Sequence, residues 1–204
     1  VASDARFRKS QTHNYGFQRN LGGVFRMTLG LGLLYVGCVL FMNGVGTLQK
    51  WDSKAMAVMN FFTGGLLVVI NTVNIAFTVV TMGAAGITAD LYPVATNMLF
   101  GFTYLFVGAT NAFKLDGRPL AWYCLFVAVN TIPCAYLSFA ANDPIFGIIW
   151  IIWGTLWLAY WFAGAEMKAT LGPKFIGWYT VVVGVITCWF PGYMMLADWW
   201  MLLY

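Results

Sequence analysis

The stretch IIWIIWGTLWLAYW, residues 148–161, decides the class of fold. It contains no charged side chain, and its tryptophans Trp150, Trp153, Trp157 and Trp161 follow one another at spacings of three, four and four residues. On an α-helix this spacing places the four indoles on nearly one face. The stretch therefore predicts an apolar helix with an aromatic stripe along one side.

The composition of the whole chain indicates a membrane protein. Of its 204 residues, 61% are hydrophobic and only 9% are charged, whereas a soluble domain has roughly 25% charged residues. The apolar runs are continuous over ~20 residues, which favours transmembrane helices over the alternating strands of a barrel. The formal charge of +4 does not indicate nucleic-acid binding, because the basic residues form no cluster on a polar face.

Six apolar runs are long enough to cross a bilayer as helices. They lie at roughly 27–48, 56–81, 92–113, 120–141, 144–165 and 175–197. We number them span 1 to span 6 in chain order. The predicted fold class is an all-α integral membrane protein, a six-transmembrane-helix bundle that occupies residues 27–204.

The connections between the spans differ in charge. Those after spans 1, 3 and 5 contain Lys50, Lys54, Lys114, Arg118, Lys168 and Lys174, whereas the two near Asp90 and Asp143 contain no Lys or Arg. Basic loops stay in the cytoplasm. The pattern predicts that the basic connections are cytoplasmic and that both termini lie outside.

Residues 1–26 form a polar, basic N-terminal extension that fits this topology poorly. The extension has five basic residues, Arg6, Arg8, Lys9, Arg19 and Arg26, against one acidic residue, Asp4, and such a segment prefers the cytoplasm. Three interpretations are open: a native tail resting on lipid or on a neighbouring subunit, a remnant preceding a natural start at Met27, or an inverted topology. The first two are favoured, because short loops report orientation better than one long tail.

The odd-numbered spans share a motif in which an aromatic residue lies close before a glycine: Tyr35 before Gly37, Phe106 before Gly108, and Trp153 before Gly154. The even spans are also alike, since WYCLFVAVNT (122–131) resembles WYTVVVGVIT (178–187). The simplest interpretation is a bundle built from three helix hairpins, each with a basic connection at its turn, in which the odd spans line a passage. Chance similarity in a restricted alphabet is the alternative.

Four segments carry a resemblance to a known family: LGLGLLYVGCVLFMNG (29–44), KWDSKAMAVMNFFTGG (50–65), LFGFTYLFVGATNAFKLDGRPLAWYCLFVAVNTIP (99–133) and IIWIIWGTLW (148–157). They resemble the AmiS/UreI family, which contains acid-activated urea channels of gastric bacteria and amide channels encoded beside amidases. The resemblance covers about residues 29–195 and runs through loops as well as spans.

The resemblance implies a passive channel for urea or short aliphatic amides in the cytoplasmic membrane of a prokaryote. It also implies a homo-hexamer in which each protomer has its own pore and lipid fills the central hole, with a possible functional link to a cytoplasmic amidase or urease. It implies no cofactor and no metal. The pore-lining residues that it implies are Leu33, Val36, Leu40, Phe102, Phe106, Trp150, Trp153, Leu156 and Trp157.

Such a pore has a physical rationale. A flat slot between aromatic faces passes a planar neutral amide edge-on, attracts it by about 1 kcal/mol per face, and offers it weak hydrogen bonds from indole N–H groups. An ion in the same slot loses its hydration with nothing in return. An interfacial aromatic belt or ordinary helix packing is the competing interpretation of the tryptophans.

Three departures from the acid-activated members stand out. Phe106 replaces a slot tyrosine, Val183 replaces a glutamate in span 6, and the external loops are short and lack histidine, since the lone His13 lies in the tail. The segment SFAANDPIFGIIW (138–150) resembles the amidase-linked members instead. We therefore expect a channel that is not gated by acid.

Other function classes are less well supported. A coupled transporter needs an ionisable group inside the membrane, but every acidic residue here lies in a loop, in the tail or at a span end. No arrangement typical of an enzyme occurs. A structural or accessory subunit of a larger complex stays open as an alternative function.

Seven asparagines in the spans are expected mainly to bridge helices: Asn43, Asn60, Asn71, Asn74, Asn97, Asn111 and Asn130.

Overall fold

The computed structural model describes residues 2–164 and 171–203, and their side chains except at 2–22, 24 and 82–90. Lys168 and Glu166 lie outside the described residues. The helices are Ala2–Gln49, Ser53–Phe113, Arg118–Ala140, Pro144–Gly164, Pro173–Val183 and Phe190–Leu196, with a π-helical turn at Gly184–Trp189 and a 3₁₀ turn at Trp200–Leu203.

Six segments of the described chain are long and apolar enough to cross a membrane: Phe25–Gln49, Ser53–Thr81, Leu91–Phe113, Arg118–Ala140, Pro144–Gly164 and Pro173–Leu196. They match the six predicted spans to within a few residues and take over the names span 1 to span 6. The prediction of an all-α, six-span protein is confirmed. The helix that contains span 1 begins at Ala2 and so continues through the predicted boundary at residues 26 and 27.

Spans 2 and 3 belong to one helical element that folds back on itself. Asn71 and Asn97 are 26 residues apart, a separation of about 39 Å on a straight helix at 1.5 Å per residue. Instead the Asn97 side chain donates a hydrogen bond to the Asn71 side chain at 3.3 Å. The chain therefore reverses between Thr81 and Leu91, as the prediction of two separate spans requires.

Acidic side chains cap the beginnings of two spans. The Asp52 carboxylate accepts a hydrogen bond from the backbone N–H of Ala55 at 3.0 Å, and Asp143 accepts one from the N–H of Phe146 at 2.8 Å. The first N–H groups of a helix have no partner within the helix, so these carboxylates satisfy them. Both acidic groups therefore have a structural role at a span end.

Glycines bring span 1 and span 6 into backbone contact. A Cβ atom added to Gly37 would lie 2.6 Å from the backbone nitrogen of Trp189, and one added to Gly44 would lie 2.6 Å from the carbonyl oxygen of Gly177. Similar contact joins Gly64 of span 2 to the backbone of Leu105 in span 3. Small residues permit such close packing between membrane helices.

The closest helix pairs are therefore not the hairpins joined by basic connections. Span 1 packs most closely against span 6, span 4 against span 5, and span 2 lies in backbone contact with span 3. The bundle still consists of three helix pairs. Each pair forms where its small residues face one another, and the basic connections lead from one pair to the next.

Candidate functional site

The bundle contains a cavity at each end. One has a volume of about 360 Å³ and lies near Thr47, Gly117 and Gly164, beside the basic connections; we call it the basic-end cavity. The other has a volume of about 280 Å³ and lies near Arg26 and Asp143; we call it the opposite-end cavity. Together they extend from both ends of the bundle toward its centre.

The basic-end cavity is mostly apolar. Spans 1, 3, 4 and 5 supply most of its walls, span 2 adds Met56, and no charged side chain of the described residues lines it. Its apolar residues include Leu40, Phe100, Tyr104, Val107, Leu120, Cys124, Trp153, Leu156 and Trp157, and its polar side chains include Asn43, Thr103 and Asn111. A small neutral solute can occupy such a cavity without displacing a counter-ion.

The opposite-end cavity is more polar. Carboxamides of Asn71, Asn74 and Asn97 line it together with Arg26 and Asp143. The amides also bridge helices, as expected: Asn97 donates to Asn71 at 3.3 Å, and Asn74 donates to the Thr28 hydroxyl at 3.1 Å. This end therefore offers hydrogen-bonding groups to a solute that leaves water.

An aromatic barrier separates the two cavities. We define it as Phe100, Phe146, Trp150 and Trp153. The Trp153 ring lies 4.8 Å from Phe100, 5.0 Å from Trp150 and 5.7 Å from Phe146, measured between ring centroids. Phe100 and Trp153 line the basic-end cavity, and Phe146 lines the opposite-end cavity. One layer of touching rings thus lies between the two.

Trp153 meets each of the other three barrier rings edge to face and not as parallel plates. The interplanar angles are 77° between Phe100 and Trp153, 86° between Trp150 and Trp153, and 87° between Phe146 and Trp153. Aromatic quadrupoles favour this arrangement over face-to-face stacking. The expected flat slot between indole faces is therefore absent among the barrier residues, and the rings close on one another.

Trp153 has a fixed hydrogen-bond partner. Its indole N–H donates to the Thr187 hydroxyl at 2.8 Å, and both side chains are buried. The Thr187 hydroxyl in turn donates to the backbone carbonyl of Val183 at 2.6 Å. The N–H that we expected to meet a passing solute is thus occupied by span 6.

The nine residues predicted to line the pore fall into three groups. Leu40, Trp153, Leu156 and Trp157 line the basic-end cavity. Leu33, Val36 and Trp150 are buried in the core that continues from it, with Trp150 in the barrier. Phe102 and Phe106 are separate from both groups.

Helical register explains why Phe102 and Phe106 are separate. Phe100, Thr103, Tyr104, Val107 and Asn111 follow one another at spacings of three, one, three and four residues and share the face of span 3 that lines the cavity. Phe102 lies about 200° around the helix from Phe100 and is 51% exposed. Phe106 packs on Tyr123, with ring centroids 6.0 Å apart.

Sequence reasoning missed Phe100, Phe146 and Thr187. Phe146 precedes Trp150, Trp153 and Trp157 at the same helical spacing as the tryptophan stripe, so the stripe could have been extended backwards. Trp161, which we placed on the stripe, packs instead against Trp122 at 5.8 Å. Nothing in the sequence signals that Thr187 meets Trp153.

Six apolar spans, a cavity at each end of the bundle and an apolar barrier between the cavities fit a small-solute channel or transporter. The profile of the AmiS/UreI family of transporters matches residues 28–199. The chain belongs to this family.

Known relatives include channels for urea and transporters named for amides. The acid-activated urea channel of Helicobacter pylori is 42% identical over 195 residues, covering 84% of this chain and 99% of the relative. A putative amidate substrates transporter protein of Mycolicibacterium smegmatis is 36% identical, covering 84% of this chain and 78% of the relative. A crystal structure of the Helicobacter pylori urea channel has a TM-score of 0.77 and 41% identity, covering 84% of this chain and 99% of that one.

Sequence identity is higher to the urea channel, whereas the alignment with fewer gaps is that with the amidate transporter. Identity is higher to the urea channel than to the mycobacterial transporter, so it does not favour the amidase-linked members. However, 84% of 204 residues is about 171, so the 195-residue alignment with the urea channel includes about two dozen gap positions in this chain. The 172-residue alignment with the transporter includes almost none, as expected if the loops resemble those of the amide transporters.

Proposed function

We propose that this protein is a passive channel for urea or short aliphatic amides across the inner membrane of a prokaryote. The observation that carries the proposal is the single layer of aromatic rings between two cavities at opposite ends of the bundle. A small planar solute needs only a modest rotation of these rings to pass.

Selectivity follows from hydration. Urea and acetamide are neutral, so crossing the barrier costs them a few hydrogen bonds to water, whereas an ion loses a hydration energy of tens of kcal/mol in a medium of low dielectric constant. The carboxamides of Asn71, Asn74 and Asn97 at one end replace part of the water lost by an amide. The barrier therefore excludes ions without any charged filter.

The test is a flux measurement in proteoliposomes containing the purified protein. We expect urea and acetamide to enter the vesicles well above the rate of protein-free liposomes, without a proton or sodium gradient. Glycerol and chloride should stay near the background. No acceleration of either urea or acetamide, at verified incorporation, would contradict the proposal.

The proposed orientation places the basic connections and the basic-end cavity in the cytoplasm, with both termini outside. Its support is the charge of Lys50, Lys54, Lys114 and Arg118 beside that cavity. Cysteine introduced at Lys114, in a variant with the four native cysteines replaced, should react with a membrane-impermeant maleimide only after the membrane is opened. Labelling in intact cells would indicate the inverted topology.

We also propose that the channel is a homo-hexamer with lipid in its central hole. The support on the molecule is a broad apolar exterior that includes Phe62, Tyr136 and Trp178, each more than 60% exposed. These side chains need lipid or a neighbouring subunit as cover. Native mass spectrometry should give six copies with bound lipid; a monomer at low detergent would contradict this.

The N-terminal extension, residues 1–26, is proposed to be separable from the channel domain at 27–204. The support is that, among the described side chains of this extension, only Phe25 and Arg26 line a cavity, and both lie at its C-terminal end. Deletion of residues 1–22 should therefore leave urea flux unchanged and keep Arg26, which pairs with Asp198 at 3.4 Å. Loss of assembly after this deletion would assign the extension a structural role.

A structural or accessory subunit is the alternative function. It predicts a filled interior, whereas the two cavities favour a passage. If the proposal is right, the transported amide reaches a cytoplasmic amidase or urease, and disruption of the gene should slow growth on low external amide as nitrogen source.

A further inference from the structure

Thr187 sits near the centre of span 6, where its hydroxyl bonds to Trp153 and Val183 and also lies 3.6 Å from the Cys188 sulfur. Its hydroxyl hydrogen is directed to the carbonyl oxygen of Val183 at 2.6 Å, and its oxygen accepts the indole N–H of Trp153 at 2.8 Å. A hydroxyl has only one hydrogen to donate and an indole nitrogen cannot accept, so neither bond can be reversed. The side chain of Thr187 is 2% exposed, and water therefore cannot easily substitute for either partner.

The backbone around Thr187 is unusual. Residues Gly184–Trp189 form a π-helical turn, and Phe190 donates its N–H to the carbonyl of Val185, five residues earlier. Single π-helical turns inside α-helices are rare and frequently occur at functional sites. The turn widens span 6 locally, and within it the Thr187 side chain contacts Trp153 of span 5.

Close packing holds this turn in place. A Cβ atom added to Gly184 would lie 2.7 Å from the Cβ of Leu40, and one added to Gly37 would lie 2.6 Å from the backbone nitrogen of Trp189. Span 6 therefore cannot shift at this level without moving span 1. The position of the Thr187 hydroxyl is therefore fixed, and the hydroxyl in turn fixes the indole N–H that bonds to it.

Trp153 is the barrier ring that contacts all three of the others. It contacts Phe100 from the basic-end cavity at 4.8 Å and Phe146 from the opposite-end cavity at 5.7 Å. Rotation of the indole out of its edge-on position would separate these contacts, and it would also break the bond to Thr187. The hydrogen bond and the closed state of the barrier are thus linked by geometry.

We propose that Thr187 is a positioning residue of the barrier: its hydroxyl holds the Trp153 indole edge-on between the two cavities and thereby sets which solutes pass. This inference rests on the proposed function. Thr187 is not among the described residues that line either cavity. The inference therefore gives a residue of span 6 outside both cavities control over the width of the passage.

The flux test uses two substitutions at one position. Thr187→Val keeps the shape and removes the acceptor, whereas Thr187→Ser keeps the hydroxyl. We expect Thr187→Val to raise glycerol and water permeability relative to urea several-fold, and Thr187→Ser to retain the selectivity of the unmodified protein. Thr72→Val is the matched control, because Thr72 bonds the carbonyl of Val68 at 2.8 Å on an exposed face with no ring partner.

A double-mutant cycle identifies the partner. In a Trp153→Phe background there is no indole N–H, so Thr187→Val should change selectivity no further. Equal selectivity of the Thr187→Val and Thr187→Ser variants, or an undiminished effect of Thr187→Val in the Trp153→Phe background, would overturn the inference.

A second measurement does not depend on conduction. In detergent-solubilised protein labelled with ¹⁵N-indole tryptophan, the Trp153 resonance, assigned from the Trp153→Phe variant, should shift and exchange faster in Thr187→Val but not in Thr187→Ser. An unchanged resonance in Thr187→Val overturns the inference. If the unmodified protein conducts neither urea nor acetamide, the proposed function fails instead, and the two failures are distinct.

Discussion

The side-chain amides of Asn43 and Asn60 bond to each other twice, each donating its Nδ2 to the Oδ1 of the other, at 3.0 Å and 2.8 Å. The pair joins span 1 to span 2 at the wall of the basic-end cavity, where Asn43 is a lining residue. Two molecules of a primary amide such as acetamide can pair through the same ring of two N–H···O hydrogen bonds. Because each carboxamide satisfies the other, Asn43 has little left with which to trap an amide solute, and a channel must release what it admits.

The first prediction concerns this pair. Asn60 is fully buried, and Asn60→Leu leaves the Asn43 carboxamide without its partner, at a cost of about 1–3 kcal/mol of stability. The double substitution Asn43→Leu and Asn60→Leu removes both polar groups and should restore part of that loss. Thermal unfolding in a fixed detergent measures this. A double variant less stable than the sum of the single changes would show that the pair is not a closed unit.

The second prediction is that conduction changes little between about pH 5 and 8, the range in which histidine titrates. The single histidine of the chain, His13, lies in the N-terminal extension. Hydrogen bonds from Arg118 lower the pKa of Asp116 in the connection between spans 3 and 4. The stability that this lowered pKa provides is fully present above the unfolded pKa of about 3.9. It is lost only as pH falls through the lower folded pKa, so Asp116 does not titrate between pH 5 and 8.

Stopped-flow urea uptake into proteoliposomes at both pH values provides the measurement. Equal permeability within a factor of about two is expected, since no residue assigned to the barrier titrates in this range. A reversible several-fold change would reveal a titrating group outside the barrier.

Helical pattern in the sequence predicted the spans and half of the site, but not the orientation of every ring. The spacing of Trp150, Trp153 and Trp157 places the three indoles on one face of span 5, but only the family resemblance indicated that this face lines the pore and not lipid. In span 3, aromatic and aliphatic residues surround the helix on all sides, so hydropathy does not distinguish the face of Phe100 from that of Phe102. Contacts between spans, such as Thr187 with Trp153, depend on helix rotation, which composition leaves undetermined.

The third prediction concerns the tryptophans. Trp153→Ala and Trp157→Ala should each alter the ratio of amide to glycerol flux, because both indoles are buried at the basic-end cavity and both contact Phe100 at 4.8 Å. Loss of the ring either widens the passage or lets the helices collapse into it. Trp199→Ala should change the ratio little, since Trp199 is 58% exposed near the end of the chain.

Flux of urea, acetamide and glycerol in matched proteoliposomes measures these ratios. Each variant is compared at equal incorporation and equal oligomer size, because a large-to-small change at a buried site costs about 3–5 kcal/mol of stability. Unchanged ratios in both Trp153→Ala and Trp157→Ala would mean that the rings serve only packing and that solute passes elsewhere.

The last prediction sets Phe100 against Phe102, two phenylalanines on the same span that face opposite sides. Phe100 is 5% exposed and contacts Trp150, Trp153 and Trp157, whereas Phe102 is 51% exposed. Phe100→Leu should therefore shift the ratio of acetamide to glycerol flux several-fold, because it removes a ring that closes the barrier from the basic-end cavity. Phe102→Leu removes the same atoms from the outer face and should leave the ratio unchanged while affecting, at most, packing against lipid or a neighbouring subunit. The two variants have the same composition, so overall hydrophobicity cannot account for a difference between them, and they are compared at equal incorporation. A larger effect of Phe102→Leu on selectivity would mean that span 3 is rotated in the conducting state and that the pattern implied by the family resemblance describes the open pore.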